Sequence, residues 1–290
     1  MVSEYTQLTQ KVTDYDLAAT LSSGQAFCWD LTGPNEWRGW IAGNPVSVVR
    51  GSDCFRLTGR KLTRDVAARY FQWDTDLAAL IKTFPQDEPM RQALAYCPGL
   101  RLLRQDPWET TANFICSAMK QIVQIKQINR ALRQRFGKEV EPGQWSFPDW
   151  RTLAAASEAD LRECKLGFRA KHLFHAAWQL TAGEVSLEAV ESLPTPEARK
   201  ELMKLRGVGE KVASCILLFA YGRQDVFPVD VWVRRAIHQL YFPKRRTFTE
   251  KQARIFVAKY FGPYGGYAQQ YLFHWIRTVG ALPPSPRLRG

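Results

Sequence analysis

Acidic residues are in short supply: 28 Asp and Glu stand against 40 Lys and Arg in a chain of 290 residues, a formal net charge of +12. The excess favours a polyanionic partner over a small neutral one, nucleic acid first; a basic surface that only aids solubility is the plainer reading, and charge placement has to decide. Histidine is rarer, with four in all. His172 and His175 could share a helix face but lie outside any H-E-x-x-H context, so a surface pair is expected and no metal site. The cysteines Cys28, Cys54, Cys97, Cys116, Cys164 and Cys215 stand singly, without C-x-x-C pairs or iron–sulfur or zinc spacing, and read as reduced thiols of an intracellular protein. No run reaches the roughly 18 to 20 uninterrupted apolar residues of a membrane span. The opening MVSEYTQLTQKVTDYD lacks the basic-then-apolar layout of a secretory signal, so neither membrane nor secretory route is expected.

What is present is 46% hydrophobic and 12% aromatic, enough for one large or two modest cores. From Glu36 to Thr58 short strand-like runs, EWRGWIA, PVSVVR and CFRLTG, are separated by turns at Gly43-Asn44-Pro45 and Gly51-Ser52-Asp53, which predicts an antiparallel meander. RDVAARYFQW, LAALIKTF and MRQALAYC then carry helical spacing. From Leu100 onward nothing alternates and helical periodicity dominates. Asp106-Pro107 is a helix opening, an amide-capping side chain followed by a residue that sacrifices no intrahelical bond. The expected organisation is an α+β unit over 1–98, a helical region over 99–282 and a disordered tail over 283–290.

Two stretches are almost purely basic. Lys120, Lys126, Arg130, Arg133, Arg135 and Lys138 come with no acidic residue between them, and Lys244, Arg245, Arg246, Lys251, Arg254 and Lys259 with Glu250 alone. A solvated helix face is the ordinary fate of such runs, but their lack of mixing favours phosphate contacts.

The most informative segment is Leu205-Arg-Gly-Val-Gly-Glu-Lys-Val-Ala-Ser-Cys215: a helix end, a Gly207-Val208-Gly209 turn, then a helix through ILLFAYG. Such a turn frees backbone amides toward a phosphate, although a plain helix–helix corner would use glycine as well. Lys211 opens the second helix, with Cys215 one turn later on the same face. Asp230 follows nineteen residues after Lys211, at the apparent start of another helix. Taken singly, Lys211 reads as a surface ammonium and Asp230 as a simple helix cap.

Together, L-x-G-V-G-x-K-V-A-x-C and P-V-D-V resemble the signature of the helix-hairpin-helix DNA glycosylases, most closely their 8-oxoguanine branch. Ser23-Gly24-Gln25-Ala26-Phe27 resembles that branch's base-pocket loop, Gly99 to Pro107 the start of its central helix, and Gly262-Pro263-Tyr264 through Phe273 its C-terminal helix. The resemblance implies an N-terminal antiparallel-sheet (TBP-like) domain, a hairpin over about 197–221, and a monomer that acts on double-stranded DNA containing an oxidised purine. It gives Lys211 the nucleophile's place and Asp230 that of the essential carboxylate, hence base removal followed by AP lyase chemistry. Gly24 is implied as the acceptor for the N7 hydrogen of 8-oxoguanine, Gln269 as an amide for the base edge, and Phe273 and Cys215 as covers for its two faces. Without the resemblance, Phe273 and Cys215 read as core and Gln269 as a surface amide.

Departures from the pattern matter too. Met119 replaces an asparagine that fills the gap left by the flipped base, and Gln124 an arginine that reads the opposite cytosine. Phe168 replaces a tyrosine wedge, Arg169 retains the second cytosine-reading position, and Trp232 replaces a histidine; relaxed opposite-base selectivity is expected. Neither metal nor organic cofactor is expected, since the amine supplies the covalent chemistry, although a structural cation at the hairpin carbonyls stays open. Endonuclease III-like relatives usually carry a C-terminal four-cysteine cluster, absent here, and alkylated-base glycosylases generally lack the lysine. A noncatalytic hairpin protein would need neither Lys211 nor Asp230.

Overall fold

The computed structural model describes residues 5–279, so the tail expected to be disordered lies outside the described residues. The meander forms as its alternation dictates. Strands β1 (Tyr5–Lys11), β2 (Asp30–Gly33), β3 (Glu36–Ile41), β4 (Asn44–Arg50) and β5 (Cys54–Arg60) make an antiparallel sheet in the order β1-β5-β4-β3-β2. Register places Trp37 opposite Val48, Val48 opposite Leu57 and Leu57 opposite Leu8, one apolar row across four strands. The β3–β4 turn is Ala42-Gly43, both with positive φ, so the expected Asn44 and Pro45 belong to β4 instead. Strand β1 was not expected: its residues alternate only between exposed and half-buried, too weak a contrast to read from sequence. A two-stranded ribbon, β6 (Glu139–Glu141) with β7 (Gln144–Trp145), likewise interrupts the helical region.

One core lies under the sheet. Trp29 is fully buried and its indole N–H donates to the Tyr70 hydroxyl at 2.7 Å. A larger core surrounds the helix Glu210–Phe219, whose residues Ala213 to Phe219 are all buried; it packs against the helices Pro107–Cys116 and Thr195–Leu202. Buried Gln25 joins the two regions. Its amide donates to the carbonyls of Thr20 and Arg101 and accepts from the Leu103 N–H at 2.8 Å. No helix among the described residues is long and apolar enough to cross a membrane.

The fold corrects the reading of the first basic run. Arg130 pairs with Asp30 at 2.8 Å, with Lys126 3.7 Å from the same carboxylate. Buried Arg133 pairs with Glu109 at 2.5 Å and covers the Trp40 ring at 4.4 Å, and Arg135 pairs with Asp160 and Glu163. Four of the six side chains are therefore spent on the protein's own carboxylates, not on phosphates.

Gly39 shows how tightly the sheet is closed: a Cβ there would stand 2.3 Å from the Trp29 ring and 2.8 Å from the Cys28 carbonyl, with no positive φ involved. Gly39→Ala is expected to lower stability by about 1–3 kcal/mol through overpacking. Gly33→Ala, whose Cβ meets nothing closer than 3.5 Å, should stay within about 0.5 kcal/mol of the native protein. Urea unfolding of both variants checks the pair, and equal midpoints would contradict it.

Candidate functional site

Helices Thr195–Leu202 and Glu210–Phe219 form the hairpin. Gly207 (φ +87°) needs its glycine twice, for a left-handed backbone and because a Cβ would come within 2.8 Å of the His172 Cβ. Gly209 is extended, with nothing within 4 Å of a Cβ, so the protein itself presents open space at this helix start. His172 is accordingly not half of a surface pair. It is half-buried against the turn, its pKa lowered chiefly by desolvation, while His175 is exposed.

The first turn of the second helix is held from two sides. Arg199 donates to the Ser214 hydroxyl at 2.7 Å and to the Glu210 carboxylate at 3.3 Å, and the Arg254 guanidinium lies 3.5 Å from the same carboxylate. The sequence reading missed this network, since only the four-residue spacing of Glu210 and Ser214 hinted at it. The adjacent Lys211 is half-buried, its amine 5.0 Å from the Phe114 ring centroid.

Asp230 caps the helix Val231–Tyr241, accepting the Val233 N–H at 2.7 Å. The plain capping role is therefore real, and it fixes the carboxylate. Burial pushes the Cys215 thiol above its ordinary range; the Lys211 amine opposes the rise and Asp230 adds to it. The thiol thus lies within electrostatic reach of both the amine and the carboxylate.

Asp230 also lines a cavity of about 670 Å³ with Trp232, Gln269 and Phe273, to whose wall Lys120 and Ile122 also contribute. Lys211 lines a neighbouring one of about 280 Å³, and Phe227 lines both. Gln269 is not a surface amide: it is 4% exposed, and its buried Oε1 has no hydrogen-bond partner. A group that could donate to it from within the cavity would relieve a cost of about 1–3 kcal/mol. Phe273 is half-buried, whereas Cys215 is buried in the helical core.

Gly24 (φ +82°) sits behind this wall, where a Cβ would meet Ile122 Cδ1 at 2.5 Å and Phe273 at 3.5 Å. The loop is pinned on both sides: Gln270 donates to the Ser23 carbonyl, Gln105 donates to the Gln25 carbonyl, and neither bond uses the carbonyl of Gly24.

Of the expected outer residues, Met119 is 92% exposed at φ +54°, the apex of a loop. Arg169 is buried, donating to the carbonyls of Ala118 and Leu166 and lying 4.3 Å over the half-exposed Phe168 ring. Gln124 caps its own helix, accepting the Gln121 N–H at 3.0 Å. Trp232 is exposed at the cavity mouth.

A model of the 8-oxoguanine DNA glycosylase N-terminal domain matches residues 7–111, and one of the HhH-GPD superfamily base excision DNA repair proteins matches 112–261. The N-glycosylase/DNA lyase OGG1 of Arabidopsis thaliana is 31% identical over 90% of this chain and 77% of its own length. The structure of MBOgg1 with a low-affinity DNA ligand superposes with a TM-score of 0.89 at 33% identity, over 95% of this chain and 97% of that one. The 8-oxoguanine glycosylase/lyase of Clostridium acetobutylicum, bound to double-stranded DNA with cytosine opposite 8-oxoG, superposes at 0.86 with 30% identity, over 94% and 99%. Sheet, hairpin and cavity accordingly belong to a member of the HhH-GPD superfamily of base excision repair proteins, in its 8-oxoguanine DNA glycosylase branch.

Proposed function

We propose that this protein removes 8-oxoguanine from duplex DNA through an amine-linked intermediate and then cuts the strand. One observation carries the reading: Asp230 lines a cavity whose wall includes Gln269 with its unsatisfied carbonyl, and Lys211 lines the adjoining cavity that shares Phe227 with it. Residues 1–98 supply the Gly24 loop and 99–282 the reacting groups. The enzyme works as a monomer, inside the cell and on DNA.

A base within the duplex is unreachable, so the nucleotide must turn out into the cavity, with unstacking offset by contacts there. Gln269 Oε1 accepts from the edge of the base, Phe273 and Cys215 cover its faces, and the Gly24 carbonyl accepts the N7 hydrogen that guanine lacks. Once deprotonated, the Lys211 amine attacks the anomeric carbon; the bond to the base breaks and the base leaves with the electron pair, taking up a proton. Asp230 stabilises the positive charge developing on the sugar. Opening of the sugar ring leaves an imine on Lys211, and removal of a proton from the neighbouring carbon expels the 3′ phosphate. The fixed cap bond gives the carboxylate its place without further ordering.

Lys211→Gln is expected to abolish both excision and the borohydride-trapped protein–DNA adduct. Asp230→Asn keeps the helix cap, because asparagine caps as well as aspartate, and should still lower the single-turnover rate by about 10²–10³-fold. Full activity in either variant, measured on an 8-oxoguanine duplex, would overturn the assignment.

Gln269→Leu removes the unpaired buried carbonyl and should leave thermal stability equal or higher while weakening lesion binding tenfold or more, a gap of about 1.4 kcal/mol. Loss of stability with unchanged affinity would reassign Gln269 to the core.

Opposite-base reading is where this chain should differ from the general pattern of its branch. Gln124 stands in place of a cytosine-reading arginine and uses its carbonyl on its own helix, so one bidentate contact worth about 1–3 kcal/mol is missing while Arg169 keeps the second position. Excision from pairs with C, A, G and T is expected at rates within about tenfold of one another; strict dependence on cytosine in such a duplex panel would refute this.

A further inference from the structure

With the first basic run neutralised internally, the chain's excess positive charge has to be carried elsewhere. Between Asp230 and Glu250 the sequence holds Arg234, Arg235, Lys244, Arg245 and Arg246 and not a single acidic residue. Among the described residues none of these five forms an ion pair. Arg234 donates to the Phe248 carbonyl, whereas Arg235, Lys244, Arg245 and Arg246 are exposed.

Their placement is directional. Exposed Trp232 opens onto the main cavity, and the Arg235 guanidinium lies 5.9 Å from its ring, one turn further along the helix. The helix ends at Tyr241, and the loop beyond it carries Lys244, Arg245 and Arg246. That loop is held in place: His238 contacts the Arg245 carbonyl at 2.8 Å and stacks on Phe248 at 5.5 Å, while the Arg245 guanidinium covers Phe242 at 4.7 Å. Basic side chains therefore stand near the cavity mouth and again beyond the far end of an eleven-residue helix, about 16 Å long at 1.5 Å per residue. Along a DNA strand, where phosphates recur about every 3.4 Å of axis, this equals four to five nucleotide steps.

We propose that Arg235, close to the turned-out nucleotide, and the Lys244–Arg246 loop, four to five steps from it on one flank, form a second contact surface for the DNA backbone. The surface adds affinity without sequence information, as phosphate contacts do. It rests on the glycosylase reading above.

The test is fluorescence anisotropy across a salt series. The probes are a duplex extending a full turn on both sides of a central abasic-site analogue and two duplexes cut to a few base pairs on one flank or the other. The variant Lys244→Gln/Arg245→Gln/Arg246→Gln is expected to bind the long duplex with a log Kd against log salt slope shallower by about 2 to 3, and Arg235→Gln by about 0.9. On the duplex lacking the contacted flank, native protein and triple variant should bind equally, which also shows that the variant is folded. An unchanged slope, or equal loss of affinity on all three duplexes, would overturn the proposal. A shallower slope on single-stranded RNA with none on duplex DNA would assign the surface to another polyanion and overturn the proposal as well. Failure of the native protein to bind any abasic duplex would instead sink the glycosylase reading on which the proposal stands.

Discussion

The chemistry depends on how one helical turn is held. Glu210, the first residue of the second hairpin helix, lies between two guanidinium groups from separate helices, and Arg199 reaches past it to Ser214 a turn further on. The neighbouring residue is Lys211. A lysine side chain has about 2 kcal/mol of rotamer freedom to lose, so under the proposed mechanism, in which this amine meets a sugar carbon, it needs a rigid base. The clamp supplies that base on one side and the buried run Ala213–Phe219 on the other. Loosening the clamp would leave the amine present and unplaced.

The second half of the site is fixed in a different way. Asp230 is anchored by a backbone bond, so its orientation follows from the start of its helix and not from a side-chain network. Gly24 is fixed by its neighbours in sequence, through the amides of Gln25, Gln105 and Gln270, which join the loop to the segment Arg101–Gln105 and to the helix Gly265–Val279. The cavity wall itself is built from the helical region, and these links hold the Gly24 loop behind it.

How much of this was legible in the sequence differs by residue. The β3–β5 meander was, since EWRGWIA, PVSVVR and CFRLTG are set apart by glycine-bearing turns. Strand β1 was not, because an edge strand half-covered on one face has little contrast to show. Lys211 and Asp230 were legible as a spaced pair within a family pattern; neither was legible alone, and the capping role that competes for Asp230 is in fact also performed. The first basic run misled because its partners, Asp30, Glu109, Asp160 and Glu163, lie far along the chain or on other elements, where local charge counting does not reach. The unsatisfied carbonyl of Gln269 had no signal at all. Two adjacent glutamines in a helix look alike, yet Gln270 donates to the Ser23 carbonyl and Gln269 Oε1 has no partner.

Met119 carries a further consequence. Its backbone is left-handed, a conformation that suits the asparagine usual in the branch and costs other side chains about 1–2 kcal/mol. Arg169 keeps the loop in that shape by holding the carbonyl just before it. The protein therefore carries this backbone cost at a loop apex whose thioether is displayed to solvent.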